Sequence, residues 1–496
     1  MIKLVSSLTA ARIDREKIQN GVSSEELMRR VARGVFENAP LKEGKTLILA
    51  GKGGNGGDGY ALYLLMKEEG RDVTIADFGE SRHEGSAKLR ALCEKEIVRY
   101  SEKLDFSPYA NVIDCIFGVG LSRSVSGEYL DCIRKINAAG KHVVSVDIPS
   151  GLSADGGLTL GAAVKADVTI AVQNMKFGHF LSDGLDLSGE VGALDIGLDG
   201  EAYDALIVED DDVRPLFPEM KRNVHKGMLG RLAILAGSES YSGASVIAEL
   251  GAAAFALGDG LVRLCVPDCI LYPVMSKITE CTLLSMPSKE GRLAYDEGYL
   301  KKAVAGANAV LFGNGADLGE DIYKILSYLS ENVDVPLVLD ADALNVLSSD
   351  LSLLKKRSAP TVLTPHPREF SRLTGLPVEE ILSDPVSYAK EFAARHSVIL
   401  ALKGASTVIT DGERVYLSVT GCAGMAKAGS GDLLAGAVAA LIAGGRDPLV
   451  ATYAASHILG LAGEVTSHEV GEYSMLPTHT AARIPAVLRS LLSEKA

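Results

Sequence analysis

The stretch GCAGMAKAGSGD at residues 421–432 runs directly into the apolar segment LLAGAVAALI at residues 433–442. This order predicts a glycine loop that leads into a buried helix. Glycine lets the backbone approach an anion closely, and the first turn of a helix offers unpaired N–H groups and a positive dipole end. A carboxylate at Asp432, at the start of that helix, is placed to take a proton from a substrate hydroxyl. The segment therefore predicts a phosphate site with a base beside it, and an ordinary helix start capped by a side chain is the alternative.

Length and charge limit what kind of protein this is. The chain has 496 residues, which is too long for one hydrophobic core, so we expect two domains or at most three. The formal net charge of −14 argues against nucleic acid or an anionic membrane as a partner. The sequence shows no run of eighteen apolar residues and no pattern of a signal peptide, so we expect a cytoplasmic protein.

Strand-like and helical patterns alternate along most of the chain. Helical periodicity over residues 1–40 is followed by predicted strands that are separated by helical segments: Thr46–Ala50, Val73–Ala76, Asn111–Ile113, His142–Val146, Val168–Val172, Leu232–Leu235, Leu261–Val266, Ala309–Phe312, Leu337–Leu339, Val362–Leu363 and Val398–Leu402. Such alternation predicts parallel sheets with helices on both faces.

The alternation lapses between Gly200 and Lys226, where the acidic run Glu209–Asp212 is followed by Pro215 and Pro218. Charge runs and prolines are typical of a boundary segment. We therefore expect an α/β protein with two doubly wound domains, over residues 1–208 and 213–496.

In the first half, a loop that is rich in glycine, Gly51–Gly59, lies between the predicted strand Thr46–Ala50 and a predicted helix, Tyr60–Glu69. The loop matches the G-x-G-x-x-G spacing, but we find no acidic residue at the expected distance at the end of a second strand. Its glycines still favour close approach of the backbone to a ligand that carries phosphate.

Asp114 and Asp147 each end a predicted strand. Ligands of an open parallel sheet bind beyond the carboxyl ends of its strands, so we expect these aspartates to converge with Asn55, Asp58 and Ser150. Oxygen ligands that cluster near an anionic ligand call for a cation between them. For each aspartate alone, capping of the following loop is the alternative.

The segments NGGDG at 55–59 and VDIPSG at 146–151, with Asp114 and its glycine-rich loop, resemble the YjeF N-terminal domain, the NAD(P)H-hydrate epimerase. The resemblance implies a Rossmann-like fold and a K⁺ ion held by Asn55, Asp114 and Ser150. It implies contacts to the hydrated nucleotide from Gly54, Asn55, Gly56, Gly57, Asp58, Gly118, Val119, Gly120, Leu121, Ser122, Arg123, Ser124 and Asp147. The chemistry needs an aspartate as acid and base, and both Asp114 and Asp147 remain candidates.

In the second half, several predicted strands end in polar or glycine-bearing loops, which predicts a cleft along one sheet edge. These loops are Ala236–Ser238, Gly313–Asp317, Asp340–Asn345, Thr364–Glu369 and Leu402–Thr407.

This half resembles the ribokinase-like fold, and specifically the NAD(P)H-hydrate dehydratase domain, over residues 213–496. The resemblance implies that Ala244, Gly315, His366 and Asp432 contact the hydrated nicotinamide nucleotide. It also implies Mg²⁺ with ADP or ATP, bound by Lys403, Gly404, Ala405, Ser406, Thr407, Gly429, Ser430 and Gly431. The chain departs from the family at Arg368, where glycine is usual, at Cys422, where asparagine is usual, and at Asn314–Asp317, which replaces a loop of the Pro-Gly-Leu-Gly type.

Together the two halves resemble a bifunctional enzyme that repairs NADHX and NADPHX, the hydrated forms of reduced nicotinamide cofactors. The resemblance implies epimerisation of the R and S forms, dehydration of the S form at the expense of ADP or ATP, and a homo-oligomer. Two alternatives remain open. The second half fits a small-molecule kinase of the same fold, because Asp432 would activate any hydroxyl, and the first half fits a non-catalytic nucleotide-binding module.

Overall fold

The computed structural model describes residues 1–198, 202–253 and 257–493. The chain divides into two compact units. The N-terminal unit contains Lys3–Ala205 and Leu382–Asp384, and the C-terminal unit contains Met1–Ile2, Leu206–Ile381 and Pro385–Ala496.

The N-terminal unit is built on a parallel sheet. Its strands are β1 (Ile2–Val5), β2 (Thr46–Ala50), β3 (Val73–Asp77), β4 (Val98–Arg99), β5 (Asn111–Cys115), β6 (His142–Val146), β7 (Val168–Val172), β8 (Met175–Lys176) and β9 (Glu190–Leu194). Seven of them form the sheet in the order β4-β3-β2-β5-β6-β7-β9. All neighbours in it are parallel. The chain reverses its direction of winding between β2 and β5, which is where ligands bind in folds of this type.

Helices cover both faces of this sheet. They are α1 (Ser7–Gln19), α2 (Ser24–Asn38), α3 (Gly54–Glu68), α4 (Glu84–Cys93), α5 (Glu128–Ala138) and α6 (Gly184–Leu187). Successive residues of β2 point to opposite faces of the sheet. Ile48 packs in one apolar cluster with α2, α3 and α4. Leu47 and Leu49 pack in another with α5. The predicted doubly wound arrangement is confirmed for this half.

The glycine segment is not a loop along its whole length, so that prediction is wrong. Helix α3 begins at Gly54, with Gly53 as its N-cap, rather than near Tyr60. A Cβ on Gly56 would lie 1.9 Å from the carbonyl oxygen of Gly51. A Cβ on Gly59 would lie 2.9 Å from Cβ of Cys115. These glycines therefore let the first turns of the helix press against the ends of the strands.

Strand β3 extends to Asp77, which is an acidic residue at the end of the second strand and was missed in the sequence. Its carboxylate is 1% exposed and already committed to the protein. It accepts hydrogen bonds from the Tyr60 hydroxyl at 3.0 Å, from Nε of Arg90 at 2.7 Å and from the backbone N–H of Gly79 at 3.0 Å. Asp77 thus holds α4 and the following loop on the sheet.

The C-terminal unit is built on a second, larger sheet. Its strands are β10 (Ala205–Ile207), β11 (Arg231–Leu235), β12 (Leu261–Pro267), β13 (Thr282–Met286), β14 (Ser288–Lys289), β15 (Arg292–Leu293), β16 (Ala309–Phe312), β17 (Leu337–Leu339), β18 (Thr361–Leu363), β19 (Ile399–Leu402), β20 (Thr407–Thr410) and β21 (Val415–Ser418). The order in this sheet is β13-β12-β11-β16-β17-β18-β19-β20-β21, with Leu206 and Ile207 of β10 paired with β21. Strands β14 and β15 form a separate antiparallel pair. Strands β13 to β19 of this order are parallel and β20 is antiparallel to both neighbours. Winding reverses between β11 and β16.

The helices of this unit are α7 (Asp210–Val213), α8 (Ser242–Ala253), α9 (Leu271–Met275), α10 (Glu297–Val304), α11 (Glu320–Asn332), α12 (Asp342–Leu347), α13 (Pro367–Thr374), α14 (Val378–Ser383), α15 (Pro385–His396), α16 (Ser430–Ala443), α17 (Pro448–Val470), α18 (Pro477–Ala481) and α19 (Ile484–Ser493). Helix α16 is the predicted buried helix, and every residue from Leu433 to Ala443 is buried. Glycine at 436 lets it approach α8, because a Cβ there would lie 2.1 Å from the carbonyl oxygen of Ala248.

The predicted strands lie within one or two residues of their positions in the structure. Residues 200–226 contain β10 and α7, although residues 199–201 lie outside the described part of the chain. The predicted helix Ala244–Leu257 corresponds to α8, and residues 254–256 likewise lie outside it. Among the described residues, no helix is both long and apolar enough to cross a membrane.

Candidate active sites

The N-terminal unit has a cavity of about 950 Å³ at the carboxyl edge of its sheet. The predicted residues that line it are Gly54, Asn55, Asp58, Gly118, Val119, Gly120, Leu121, Ser122, Arg123, Ser124 and Asp147. Four other predicted residues do not line it: Gly56, Gly57, Asp114 and Ser150. Gly56 and Gly57 lie on the buried side of α3, where a Cβ on Gly57 would meet Sδ of Met28 at 2.4 Å.

Asp114 is fully buried behind the cavity wall and its carboxylate is surrounded by donors. Oδ1 accepts from the Ser150 hydroxyl at 2.5 Å and from the Ile116 N–H at 3.1 Å. Oδ2 accepts from the Ser150 N–H at 2.8 Å and the Ser145 hydroxyl at 3.0 Å. Burial raises the pKa of Asp114, and these hydrogen bonds partly offset the shift. The carboxylate therefore organises the loops rather than facing a ligand in the cavity.

Asn55 has one buried polar atom that finds no partner among the described residues. Its Nδ2 donates to the carbonyl oxygens of Phe117 at 2.9 Å and Val146 at 3.2 Å. Its Oδ1 is buried without a hydrogen-bond partner. The Ser150 hydroxyl lies 3.2 Å from the same Phe117 carbonyl, so the amide and the hydroxyl border one region. Orphaned oxygens of this kind suit a hard cation such as K⁺.

The residues that the structure describes form no metal site made only of acidic, histidine and cysteine side chains. Among the described residues, no group of three or more His, Cys, Asp or Glu side chains is arranged to hold a metal ion. The oxygens around Asn55 come instead from an amide, a hydroxyl and main-chain carbonyls. The carboxylate of Asp114 lies beside the Ser150 hydroxyl and adds a negative charge to these neutral oxygens.

Asp147 faces the cavity and is held by a buried lysine. Its backbone adopts a φ of +73°, which turns the side chain out of the strand direction. Oδ1 contacts Nζ of Lys176, which is 2% exposed and also donates to the Val172 carbonyl at 2.9 Å. Burial raises the pKa of Asp147, but the charge of Lys176 outweighs it, so the pKa lies below its usual value. Asp147 is therefore ionised at neutral pH.

His179 holds the main chain of Asp147 and Lys176 in place. Its Nδ1 accepts from the N–H of Lys176 at 3.1 Å, so Nε2 carries the proton and donates to the carbonyl oxygen of Asp147 at 2.9 Å. Burial lowers the pKa of His179 to about 4, so the ring is neutral. Lys176 and His179 were missed in the sequence, where MKFGH at 175–179 carries no recognisable motif.

Asp58 shows the opposite shift from Asp147 in the same cavity. Burial, followed by the negative charges of Asp147 and Asp14, raises the pKa of Asp58 well above its usual value. In this cavity the pKa values of Asp58 and Asp147 are therefore shifted in opposite directions. Two carboxyl groups whose environments push their pKa values apart are an arrangement for acid and base catalysis.

In the C-terminal unit, helix α16 begins at a glycine without a side-chain cap. The N-cap Gly429 has a φ of +96°, and no side chain caps the first turn. The Ser430 hydroxyl donates instead to the Met425 carbonyl at 2.7 Å. The alternative of an ordinary helix start capped by serine or aspartate is therefore wrong, and the first turn remains open to an anion.

Asp432 lies in the first turn of α16 and belongs to a buried polar network. Its Oδ1 accepts from Nδ2 of Asn314 at 2.8 Å, and the same Nδ2 donates to Oδ2 of Asp340 at 2.9 Å. Oδ1 of Asp340 accepts from Thr364 Oγ1 at 2.7 Å and from Lys403 Nζ at 2.7 Å. Burial and the negative charge of Asp340 raise the pKa of Asp432 to about 6. Asp432 is thus a base close to neutrality.

Lys403 lies beside the start of α16. A Cβ on Gly431 would lie 3.1 Å from Nζ of Lys403, so glycine at 431 permits this approach. Burial alone would lower the pKa of Lys403, but the charges of Asp340 and Glu369 outweigh it and the pKa is raised. The other residues of this loop that were predicted to bind the nucleotide come directly after Lys403 in the sequence. Gly404 and Ala405 are exposed, Ser406 is buried, and Thr407 begins β20.

His366 has a structural task as well as a place near the network. It is the N-cap of α13, where its Nδ1 accepts from the N–H groups of Arg368 at 3.1 Å and Glu369 at 3.2 Å. Burial, with the charge of Lys403, lowers its pKa. Glu369 lies 4.0 Å from Nζ of Lys403, and burial raises the pKa of Glu369 to about 7. Sequence reasoning assigned no role to Asn314, Asp340, Thr364 or Glu369, because nothing local marks their contacts.

The other predicted substrate residues lie near this network. Gly315 follows Asn314 with a φ of +62°, and a Cβ there would lie 2.8 Å from Cβ of Ala244. Of the departures from the family pattern, Arg368 is exposed at the start of α13. Cys422 contacts the Gly463 carbonyl through its Sγ at 3.6 Å, outside the hydrogen bonds of Asp432.

Comparison with known proteins matches both halves of the chain. The family model described as YjeF-related protein N-terminus matches residues 24–178, and the model described as NAD(P)H-hydrate dehydratase matches residues 232–486. A bifunctional NAD(P)H-hydrate repair enzyme of Thermofilum pendens is 33% identical, over 97% of this chain and 95% of its own. That of Escherichia coli is 30% identical, over 96% of this chain and 92% of its own.

Among solved structures, an ADP/ATP-dependent NAD(P)H-hydrate dehydratase of Bacillus subtilis, co-crystallised with ATP and Mg²⁺, is 29% identical with a TM-score of 0.51. The match covers 58% of this chain and 100% of that one. The two family models match one half of the chain each, and the two relatives cover both halves. The chain therefore belongs to the family of bifunctional NAD(P)H-hydrate repair enzymes.

Proposed function

We propose that this protein repairs hydrated nicotinamide cofactors in two steps. The N-terminal unit interconverts the R and S epimers of NADHX and NADPHX. The C-terminal unit dehydrates the S epimer to NADH or NADPH at the expense of ADP or ATP, with release of phosphate. The observation that carries the proposal is Asp432, a base with a pKa of about 6 in the first turn of a helix that has no side-chain cap. Hydrogen bonds link Asp432 to Lys403 through the amide of Asn314 and the carboxylate of Asp340.

In the dehydration, Asp432 takes the proton of the substrate hydroxyl as its oxygen attacks the terminal phosphoryl group of the nucleotide. The new O–P bond replaces the bond to the rest of the nucleotide, which leaves as AMP or ADP. Phosphate then leaves the ring carbon while a proton leaves the neighbouring carbon, which restores the double bond. Lys403 and the first-turn N–H groups of α16 stabilise the charge on the phosphoryl oxygens.

The acidic character of this site fits a divalent cation. Asp340 and Asp342 lie close enough to Asp432 for their negative charges to raise its pKa, and Lys403 pairs with Asp340, so an anionic nucleotide bound here needs further positive charge. Carboxylates are the oxygen donors that Mg²⁺ takes, and Asp342 is the group that we expect to face it, because Asp432 acts as the base. Bound Mg²⁺ would supply neutralisation of the phosphate charge.

In the epimerisation, we assign the base to Asp147 rather than to Asp114. Asp147 lines the cavity and is ionised, whereas all the hydrogen bonds of Asp114 are made to the buried loops. Asp58, with its raised pKa, is the matching proton donor. Asn55, Asp114 and Ser150 would hold K⁺, whose charge attracts the phosphates of the nucleotide.

The test supplies the purified full chain with a mixture of NADHX epimers, Mg²⁺ and either ADP or ATP, in K⁺ and in Na⁺ buffers. We expect return of NADH absorbance from both epimers, faster in K⁺ than in Na⁺. Asp432→Asn should abolish NADH formation and leave epimer exchange intact. Asp147→Asn should slow exchange, so that NADH formation stalls once the S epimer is consumed.

Three results would count against the assignments. A stable phosphorylated product without NADH would favour the small-molecule kinase. Exchange that is unchanged by Asp147→Asn would remove Asp147 as the base. Exchange that stays at the rate of the buffer alone would leave the N-terminal unit as a binding module. The expected homo-oligomer stays a prediction, which sedimentation of the same preparation would check.

A further inference from the structure

Asn314 connects two carboxylates in the C-terminal unit. It follows β16, is fully buried, and donates through the same Nδ2 to Oδ1 of Asp432 and to Oδ2 of Asp340. These partners lie far away in sequence, 118 and 26 residues from Asn314. No other side-chain hydrogen bond to Asp432 is formed within the described residues. The amide is thus the contact that fixes the direction of the Asp432 carboxylate.

The orientation of this amide follows from charge. If the amide were flipped, its oxygen would face two carboxylate oxygens, which repel it, so the nitrogen must lie between them. The orientation of the amide is therefore unambiguous, but it is unfavourable for the amide oxygen. Oδ1 of Asn314 is buried and has no hydrogen-bond partner among the residues that the structure describes. A buried acceptor without a partner is unfavourable, so the amide is placed for its donors at the expense of its acceptor.

The side chain at position 314 decides whether a donor lies between the two carboxylates. An apolar side chain there would have no donor. Without a donor, Asp432 and Asp340 would face each other across the space that the amide nitrogen now fills. Like charges at such a separation disfavour the ionised state of both.

We propose that Asn314 is a positioning residue for the dehydration: its Nδ2 lies between Asp432 and Asp340, holds the two carboxylates apart and aims the Asp432 carboxylate at the substrate hydroxyl. This inference rests on the proposed role of Asp432 as the base. Asn314 itself touches no reacting atom. Its influence reaches the reaction through the direction and the charge of Asp432, so its loss should alter the pH dependence and not only the rate.

The test compares the full chain with Asn314→Leu, which keeps the volume and removes the donor. The rate of NADH formation from the S epimer is measured from pH 5 to 9 with saturating ADP and Mg²⁺. We expect the acid limb of the profile to move up by about one pH unit, so that the rate near pH 6 falls about tenfold and much of it returns at high pH.

Several controls separate this effect from damage to the fold. Asn332→Leu removes an amide on α11 that donates to the Tyr328 carbonyl at 3.0 Å, and it should leave the profile unchanged. Affinity for ADP reports whether the C-terminal unit of Asn314→Leu is folded. If that variant does not fold, Asn314→Ser keeps a donor that reaches one carboxylate and should give a smaller shift.

The outcomes distinguish two failures. If Asp432→Asn retains full dehydration, the proposed base is wrong and the inference falls with it. If Asp432→Asn is inactive and Asn314→Leu shows the profile of the unchanged chain, only the inference is overturned. A rate that falls equally at every pH, with unchanged affinity for ADP, would also overturn the proposed effect on charge.

Discussion

The two candidate sites start from the same architecture and differ in how each holds its aspartate. In both units a helix begins at a glycine without a side-chain cap, beside the point where the sheet reverses its winding. In the N-terminal unit, Asp147 contacts the buried Lys176 directly. In the C-terminal unit, Asp432 is separated from Lys403 by Asn314 and Asp340. The pKa of Asp147 is therefore lowered, whereas that of Asp432 is raised to about 6.

This difference shows that topology places a carboxylate but does not set its charge. The carboxyl edge of a parallel sheet brings polar side chains together in either unit. Whether an aspartate there is ionised depends on its nearest partner, which is an ammonium group for Asp147 and an amide for Asp432. Each environment suits its proposed task. The N-terminal unit has a base with a lowered pKa beside a carboxyl group with a raised pKa, and the C-terminal unit has a base with a pKa of about 6.

The largest expected effect comes from breaking the pair in the N-terminal unit. Lys176→Met removes the charge that keeps Asp147 ionised, so we expect epimer exchange to slow by at least about 100-fold. Chromatography of the R and S forms over time measures the exchange. Lys165→Met, a change of an exposed lysine in the same unit, is the matched control.

Removal of one partner from a buried ion pair also lowers stability, by about 3–5 kcal/mol. The melting temperature of Lys176→Met should therefore be measured and exchange assayed well below it. A folded variant that exchanges epimers at the normal rate would contradict the role of Lys176. Dehydration of pure S epimer should be unaffected, because the change lies in the other unit.

A smaller effect is expected from Gly431→Ala in the C-terminal unit. The added Cβ would lie 3.1 Å from Nζ of Lys403, so the lysine must move away from the start of α16. We expect affinity for ADP to fall about tenfold, the equivalent of about 1.4 kcal/mol. Isothermal titration with ADP and Mg²⁺ measures it.

The control for that change is Gly192→Ala, where an added Cβ meets nothing within 4 Å. Unchanged affinity in Gly431→Ala would show that the lysine can yield, and would remove the close approach as a requirement. Loss of affinity in both variants would point to an effect unrelated to Lys403.

The pH dependence of the two reactions gives the most direct comparison of Asp432 and Asp147. Its effect at neutral pH is the smallest of those predicted here. A base acts only when ionised, so kcat/KM of dehydration should fall as the pH drops through the pKa of Asp432, about 6. Epimer exchange should persist to lower pH, because the pKa of Asp147 lies below its usual value. Coincident acid limbs, measured on one preparation, would contradict the different environments of the two aspartates.

Much of the fold followed from local sequence. Buried strands of a parallel sheet read as short apolar runs, so Thr46–Ala50, His142–Val146 and Ala309–Phe312 were predicted with their correct bounds. Short strands such as β8 and β10 were missed, because two or three residues carry no periodic signal. The early start of α3 was missed because its glycines read as loop, and only packing against the strand ends explains them.

By itself the sequence determined the α/β class, the two-part organisation of motifs and the loops from which the site residues come, because these depend on neighbours along the chain. Tertiary structure alone decided that Asp114 is buried while Asp147 faces the cavity, and that Lys176 and Asn314 contact the two aspartates. Those contacts join residues 29 and 118 positions apart. Burial and the distance to a charge set a pKa, and neither quantity exists until distant segments have packed together.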